Sequence, residues 1–325
     1  MSRALRFLCS CLALVGLTAL LAGCGPRYQP PLTVGSNSWI GYEPLYLARE
    51  LGYYDGHNLR LVELGSTSQA LDALRVGKLD MAGLTLDEAL LLMQEGVPLS
   101  VLWVLNISAG GDVVIGQPHI TSLKQLRGKR IGVEQTAVGA YMLDAALQRA
   151  QLTTKDITIV PIPLDEHVAA WRNRSVDAVV TFEPARQTLL RAGGTELLNS
   201  RALPGEIVDV LVARREALAC CSERIAALIA GQQRALVYLQ EHRTDALQRM
   251  VPRQGMPIDG VEQALQGVEL PDAAANHALL TGNPAPLVHN AIHLAEVMNA
   301  RDLLRLAPEK ARHLIDPRFA QGQRP

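Results

Sequence analysis

The chain has 325 residues, of which 48% are hydrophobic and 19% are charged. It can therefore bury the core of one large domain or two ordinary ones, which excludes a disordered or fibrous protein. The 31 lysines and arginines against 32 acidic residues give a net charge of −1, so the chain lacks the strongly basic field that nucleic-acid binding needs.

The N-terminal segment has the pattern of a signal sequence. Arg3 and Arg6 precede an apolar run at 7–22 that is too short to span a membrane. The run closes at Leu-Ala-Gly-Cys24, an order that resembles the bacterial lipobox. This resemblance implies a lipoprotein signal peptide at 1–23, acyl chains on Cys24 that hold the protein on a membrane, and a lipidated tether at 24–31. An uncleaved anchor and an ordinary secretory signal are the alternatives.

Two adjacent cysteines, Cys220 and Cys221, remain once Cys24 is acylated. A ring closed between neighbouring cysteines is strained, so we expect two buried thiols within a helix. The sequence has no Cys/His spacing typical of a metal site, and we expect no metal and no other cofactor.

Strand and helix patterns alternate in the first half of the chain. Strands are predicted at 32–36, 59–64, 79–84 and 99–105, and helices at 43–51, 68–76 and 86–94. Each helix ends near a glycine, as helix C-termini prefer. The βαβ order predicts a parallel sheet with right-handed crossovers.

The pattern then restarts and ends in a helical region. Further strands are predicted at 112–115, 130–134, 157–162, 176–180, 195–198 and 207–213, and helices at 122–126, 138–150, 165–171 and 184–192. From residue 217 onward nearly all of the chain has a helical pattern. The fold class predicted is therefore α/β, with two doubly wound lobes and a helical C-terminal tail.

The turns that follow the strands hold the candidate binding residues, because ligands of open parallel sheets bind at the carboxyl ends of strands. These turns are rich in Ser, Thr and Gly, whose hydroxyls and backbone N–H groups suit a small polar ligand. Alternatively, each of these Ser, Thr and Gly residues could serve only as a helix cap. Thr85 and Glu88, for example, fit a Thr-x-x-Glu capping box. The predicted ligand-binding residues are Ser38, Trp39, Tyr42, Ser66, Thr67, Thr85, Asp87, Asp112, Glu134, Thr136, Gly139, His167, Glu183 and Asp209.

Four segments together carry a family resemblance. They are WIGYEPLYLA at 39–48, LRVGKLDMA at 74–82, LKQLRGKRIGVE at 123–134 and HVAAWRNRSVDAVV at 167–180. In this order they resemble the periplasmic substrate-binding proteins for nitrate, aliphatic sulfonates, taurine and thiamine precursors. Ser175 stands where that family usually has a glycine, and the resemblance runs from about residue 32 to residue 213.

The resemblance implies a type II periplasmic binding protein, whose two lobes are joined by two crossing segments. These would fall near 111–113 and 208–210, giving lobe 1 at 32–111 and 209–325 and lobe 2 at 112–208. The resemblance further implies a lipid-anchored protein on the periplasmic side of a bacterial membrane, which closes on a small-molecule ligand and docks on an ABC transporter permease. We expect a monomer that is not an enzyme, because no nucleophile–base pair emerges from the spacing.

The charges of the candidate turns bear on the ligand. They hold several acids and neither Lys nor Arg, and a buried unpaired carboxylate is costly. An amine or an N-heterocycle such as a pyrimidine precursor would satisfy these acids, and Trp39 and Tyr42 could stack on such a ring. Because backbone amides alone can bind anions, an aliphatic sulfonate, taurine or nitrate is the alternative, and so is a ligand-sensing lipoprotein acting on a membrane signalling partner.

His289, His293 and Glu296 have a spacing that can bind zinc. They lie in the helical tail without a His-Glu-x-x-His order, so we expect them to have a surface or packing role.

Overall fold

The structure is a computed structural model that describes residues 30–134 and 137–320, and only the backbone of residue 137. The predicted signal peptide, Cys24 and Thr136 lie outside the described residues. Contacts unite the described chain from Leu32 onward into one compact unit.

Eleven strands and twelve α-helices are found in the described residues. The strands are β1 Leu32–Ser36, β2 Leu59–Glu63, β3 Met81–Thr85, β4 Leu99–Ser108, β5 Val113–Gly116, β6 Arg130–Val133, β7 Thr158–Pro161, β8 Ala178–Thr181, β9 Thr195–Asn199, β10 Val208–Arg214 and β11 Val268–Glu269. The helices are α1 Glu43–Glu50, α2 Thr67–Arg75, α3 Leu86–Gln94, α4 Ala137–Ala150, α5 His167–Arg172, α6 Ala185–Arg191, α7 Arg215–Cys220, α8 Ser222–Glu241, α9 Arg243–Gln254, α10 Ile258–Leu265, α11 Ala273–Leu280 and α12 Pro286–Ala300.

The first sheet has six strands in the order β11-β4-β10-β3-β1-β2. Strand β1 is parallel to β2 and β3, whereas β10 is antiparallel to β3 and β4. Every residue of β1 and β3 is buried, which agrees with their apolar or small residues, since helices cover both faces of such a sheet.

The second sheet has five strands in the order β7-β6-β8-β5-β9. Strand β6 is parallel to β7 and β8, and β5 is antiparallel to β8 and β9. All its strands lie between Val113 and Asn199, so this second mixed sheet is formed by one stretch of chain inserted between β4 and β10 of the first. This confirms the predicted fold class.

The two segments that join the sheets run side by side. The Ser108 and Ser200 hydroxyl oxygens are 2.7 Å apart, and the Ser108 N–H donates to the Ile207 carbonyl at 2.9 Å. The return crossing was expected near 208–210. In the structure, β10 pairs with β4 from Val208 onward and with β3 from Asp209 onward.

The C-terminal tail is helical, as predicted, and packs on the first sheet's side of the molecule. Helix α8 packs on α1, and α12 packs on α3. The two-residue strand β11 extends the first sheet at β4 and was not predicted, since two residues carry no periodicity. Within the described residues, no helix has both the length and the apolar character needed to cross a membrane.

The expectation of two thiols inside one helix is wrong. A disulfide joins Cys220 to Cys221. Helix α7 ends at Cys220 and α8 begins at Ser222, so Cys221 lies at a junction with a non-helical backbone (φ −136°, ψ 24°). The neighbouring cysteines are therefore not held in one continuous helix.

Candidate functional site

Two small cavities lie between the sheets, at the carboxyl ends of strands from both. The Tyr42 cavity has a volume of about 20 Å³ and is lined by Asn37, Trp39, Tyr42, Thr67, Thr85, Glu88, Asp112, Val138, Phe182 and Asp209. The His167 cavity has a volume of about 10 Å³ and is lined by Asp112, Glu134, Val138, Gly139, Met142, His167, Val180, Thr181 and Phe182. A cavity of this size holds about one water-sized group, so the structure shows the two lobes closed on each other.

Buried carboxyl groups dominate this region. Four acidic residues that line the cavities are only 1–6% exposed, and a fifth, Asp87, is 3% exposed at the helix start beside Glu88. The four are Glu88, Asp112, Glu134 and Asp209, and among the described residues neither Lys nor Arg lines either cavity. Such a concentration of buried acids without a matching cation is energetically costly.

Several oxygen atoms of these carboxyl groups have no hydrogen-bond partner. Asp87 Oδ2, Glu88 Oε1 and Glu134 Oε2 are buried and unpartnered in the described structure. Buried polar atoms in folded proteins are nearly always satisfied, and leaving one unsatisfied costs about 1–3 kcal/mol. The cavities therefore present hydrogen-bond acceptors that a donor could satisfy.

Burial also changes the protonation of these groups. It raises the pKa of Asp112 to about 7, with the charge of Asp87 adding to the effect, and it raises the pKa of Asp87 to about 6. The pKa of Asp209 lies well above its usual range because of burial and the charges of Asp112 and Asp87. The pKa of Glu88 is raised by burial and by Asp87. A cation placed among these groups would favour their ionised forms.

Aromatic side chains form one wall of the site. The Tyr42 hydroxyl donates to Asp209 Oδ1 at 2.5 Å, and Trp39 Nε1 donates to Asn106 Oδ1 at 2.9 Å. Trp39 meets Phe182 edge to face, with ring centroids 5.4 Å apart. Because Trp39 comes from lobe 1 and Phe182 from lobe 2, this pair lies where the lobes meet.

Trp39 also requires a glycine in the crossing segment. A Cβ on Gly111 would lie 2.3 Å from Trp39 Cη2 and 3.2 Å from the Gly267 carbonyl oxygen. No larger residue fits there without moving the indole ring.

The starts of α2 and α3, two of the helices at the cleft, are occupied by the protein's own carboxylates. Glu134 Oε1 accepts from the Ser68 backbone N–H at 2.9 Å and from its hydroxyl at 2.7 Å, at the start of α2. At the start of α3, Glu88 Oε2 accepts from the Thr85 N–H at 3.0 Å, in the predicted capping box. A helix N-terminus normally attracts anions, but α2 and α3 each already hold an anionic side chain there.

A model of the NMT1-like family matches residues 25–251, well over half of the chain. The chain belongs to the NMT1-like family.

Relatives of this NMT1-like protein include binding proteins. A candidate aliphatic sulfonates-binding protein of Bacillus subtilis (strain 168) is 24% identical over 214 residues, which is 61% of this chain and 63% of the relative. A candidate thiamine biosynthesis protein of Haemophilus influenzae is 23% identical over 215 residues, which is 64% of this chain and 68% of the relative. The match to the Bacillus relative thus covers less than two thirds of that protein's length.

Solved structures share the fold of this NMT1-like protein. The alkanesulfonate-binding protein of Xanthomonas axonopodis pv. citri, bound to MOPS, has a TM-score of 0.75 at 18% identity, over 90% of this chain and all (100%) of that chain. A desulfurization enzyme has a TM-score of 0.67 at 15% identity, over 90% of this chain and 98% of its own. At these identities the likeness shows the fold alone, that of a type II periplasmic binding protein.

Most predicted binding residues of this NMT1-like protein come together at the cavities. Trp39, Tyr42, Thr67, Thr85, Asp112 and Asp209 line the Tyr42 cavity, and Asp112, Glu134, Gly139 and His167 line the His167 cavity. Asp87 is buried at the same helix start as Glu88. A Cβ on Gly139 would lie 2.5 Å from the Glu134 carbonyl oxygen, so only glycine lets α4 begin so close to β6.

Besides Asp87, three predicted residues line neither cavity. Ser66 caps α2 by accepting from the Gln69 N–H at 3.3 Å, and the Ser38 carbonyl accepts from Gln254. Glu183 pairs with Arg186 at 2.9 Å at the start of α6. Ser66, Ser38 and Glu183 are thus each engaged in a structural contact away from the cavities.

His167 is buried beside the second cavity as a neutral ring. Its Nδ1 is 3.0 Å from the Thr181 hydroxyl oxygen and its Nε2 is 3.2 Å from the Ile162 carbonyl oxygen. Burial lowers its pKa to about 4, so His167 contributes no positive charge at neutral pH.

The predicted set lacked several lining residues. Asn37 and Phe182 lie in turns that the sequence had singled out, and Glu88 had been assigned only to helix capping. Val138 lies near the start of a predicted helix. Asn106, which holds Trp39, lies inside β4 beyond the predicted end of that strand, and nothing in its sequence context marks it.

The tail histidines do not assemble a metal site. His293 Nδ1 lies 3.8 Å from Glu296 Oε2, and both side chains are well exposed. Across residues 30–134 and 137–320, no three or more His, Cys, Asp or Glu side chains are grouped so that they could hold a metal ion.

Proposed function

We propose that the protein is an extracytoplasmic solute-binding lipoprotein that captures a small amine-bearing or N-heterocyclic nutrient between its two lobes and delivers it to an ABC permease. The observation that carries this proposal is the group of four buried carboxyl residues lining cavities at which the described residues include neither Lys nor Arg. A ligand with positively charged or N–H-donating nitrogen would compensate the charge and satisfy the unpartnered oxygens.

The occupied helix N-termini support a cation rather than an anion. Binding proteins can hold anions on free backbone N–H groups at helix starts. In this cleft the Ser68 N–H already donates to Glu134, and the Thr85 N–H already donates to Glu88. An incoming sulfonate would have to displace a carboxylate and would then lie among others of the same charge.

The aromatic wall supports a planar or cationic ligand. Trp39, Tyr42 and Phe182 border the same cavity as Glu88 and Asp209. An aminopyrimidine could stack on these rings while its N–H groups donate to the acids, and an ammonium group could lie against a ring face. Such mixed apolar and polar linings are typical of small-molecule sites.

Aliphatic sulfonate binding is the second candidate function. It is favoured by the names of the Bacillus relative and of the Xanthomonas structure. It would require the buried carboxyl groups to be protonated or turned away when the anion binds.

A thermal-shift screen tests the choice of ligand. The protein would be unfolded and refolded to remove carried-over ligand, and then exposed to amines, aminopyrimidines, amino acids, sulfonates, nitrate and phosphonates. A ligand at about one hundred times its Kd adds roughly 2.7 kcal/mol to the free energy of unfolding. We expect shifts with amines or aminopyrimidines. Shifts with sulfonates or nitrate alone would contradict the proposal.

We also propose that lobe 1 comprises 32–111 and 209–325, and that the protein acts as a monomer without catalysis.

We propose further that acyl chains on Cys24 anchor the protein to the membrane. Support for the anchor comes from the Leu-Ala-Gly-Cys order after an apolar run. Cys24→Ser should move the protein from the membrane fraction to the soluble fraction on cell fractionation. Unchanged membrane association would contradict acylation as the anchor.

A further inference from the structure

The two cavities are both acidic, and they share three lining residues, of which two are apolar. Glu88 and Asp209 line the Tyr42 cavity, Glu134 lines the His167 cavity, and Asp112 lines both. Val138 and Phe182 also line both, so a valine and a phenyl side chain border each cavity on the side where the two adjoin.

Each cavity has its own unsatisfied acceptor. Glu88 Oε1 is buried and unpartnered at the first, and Glu134 Oε2 is buried and unpartnered at the second. Glu88 is 1% exposed and Glu134 is 4% exposed, so water from the surface reaches neither readily. The other oxygen of each carboxylate is held by backbone N–H groups at a helix start, which fixes the direction in which the free oxygen points.

One ammonium group cannot fill both cavities. The cavities measure about 20 and 10 Å³, and each is therefore suited to one group of roughly the size of water. A monoamine placed in one cavity leaves the other empty, with its unpartnered carboxyl oxygen. The shared Val138 and Phe182 side chains are matched by methylene groups or a ring, which need no hydrogen bonds.

We propose that the ligand carries two cationic nitrogen groups separated by a short apolar spacer, with one nitrogen in each cavity and the spacer against Val138 and Phe182. This inference rests on the proposed function, because it requires the cleft to be a cation site. It narrows the ligand class from any small amine to diamines, whether linear or built on a ring.

Isothermal titration of a matched pair of probes tests the inference. The probes are n-butylamine and the diamine with the same carbon chain, putrescine, titrated into the refolded full-length protein in detergent. We expect the diamine to bind at least about tenfold more tightly than the monoamine, well beyond the roughly twofold statistical advantage of two equivalent ends. A tenfold ratio corresponds to about 1.4 kcal/mol, which is within what one additional charge-assisted hydrogen bond contributes.

A variant identifies the second cavity as the source of that ratio. In Glu134→Gln the second cavity loses its charge, so the ratio between diamine and monoamine affinity should fall close to the statistical value. The ratio is informative because any effect of the substitution on lobe closure applies to both probes equally. Glu166→Gln, an exposed carboxyl group in the same lobe, should leave the ratio unchanged.

The outcomes separate this inference from the proposed function. Equal affinity for the two amines in the wild type, or an unchanged ratio in Glu134→Gln, would overturn the two-nitrogen inference while leaving a cation site. Binding of butanesulfonate with no binding of either amine, or no binding of any of the three, would overturn both.

Discussion

The contact between Glu134 and Ser68 ties the two lobes together, and its loss should open the cleft. Glu134 follows β6 in the second lobe, and Ser68 lies in the first turn of α2 in the first lobe. Both the backbone N–H and the hydroxyl of Ser68 donate to Glu134 Oε1, at 2.9 and 2.7 Å. Glu134→Gln keeps the shape and an acceptor oxygen but removes the charge.

The size of the effect follows from the two hydrogen bonds. A bond to a charged group contributes about 1.5–3 kcal/mol, against about 0.5–1.5 kcal/mol for a neutral one. Losing the charge therefore costs about 1 kcal/mol per bond, or about 2 kcal/mol in total, which shifts the closed-to-open ratio of the ligand-free protein about 30-fold toward open.

Single-molecule energy transfer between one dye on each lobe measures this equilibrium. We expect Glu134→Gln to populate a longer inter-lobe distance, and Glu166→Gln, which removes an exposed charge from the same lobe, to match the wild type. If Glu134→Gln stays as closed as the wild type, the contact does not hold the lobes together and the reasoning is refuted.

Three further predictions follow from the buried charges. Because burial raises the pKa of Asp112 from 3.8 to about 7, the folded state binds the extra proton. As the pH rises from about 4 to about 7, the free energy of unfolding should therefore fall by up to about 4 kcal/mol. Denaturant titrations of the wild type and of Asp112→Asn across this pH range measure the difference. Asp209→Asn should weaken amine binding at least about tenfold by isothermal titration, whereas the exposed Asp55→Asn should not, and equal losses would count against the site. Arg253→Ala strips the buried Glu43 of its ion pair and removes the guanidinium that lies 3.6 Å from the Tyr46 ring centroid. It should cost about 3–5 kcal/mol of stability by chemical denaturation, while a comparable loss in the exposed Arg249→Ala would show that burial is not the cause.

Much of the fold was predictable because its elements are locally encoded. The strand at 32–36 and the helix at 86–94 were predicted with the bounds that the structure shows. Gly52, Gly77 and Gly96 follow helices α1 to α3 with φ between 70° and 81°, a conformation that favours glycine. The order of strands within each sheet, by contrast, was not predicted, since hydrophobic periodicity says nothing about which strands pair.

The acids of the site were identifiable as turn residues, but their surroundings were not. The sequence placed Asp112, Glu134 and Asp209 after or within strand ends, where a cleft was expected. Glu183 looked the same in sequence, yet it pairs with Arg186 one helical turn away. Which acid meets a cavity and which meets an arginine depends on side-chain packing between lobes, and turn composition does not encode that.

The disulfide shows a similar limit. The helical sequence pattern predicted one helix through Cys220 and Cys221, but the helix is interrupted there, between α7 and α8. The break places α8 against α1, so tertiary packing overrides the local preference.

The proposed function depends most directly on the ligand being cationic and not anionic. Isothermal titration of n-butylamine and butanesulfonate into the refolded protein compares two ligands with one carbon chain and opposite charges. We predict measurable binding of the amine, with protons released on binding as the raised pKa values of Asp112 and Asp209 fall, and no binding of the sulfonate. Binding of the sulfonate without the amine would contradict it.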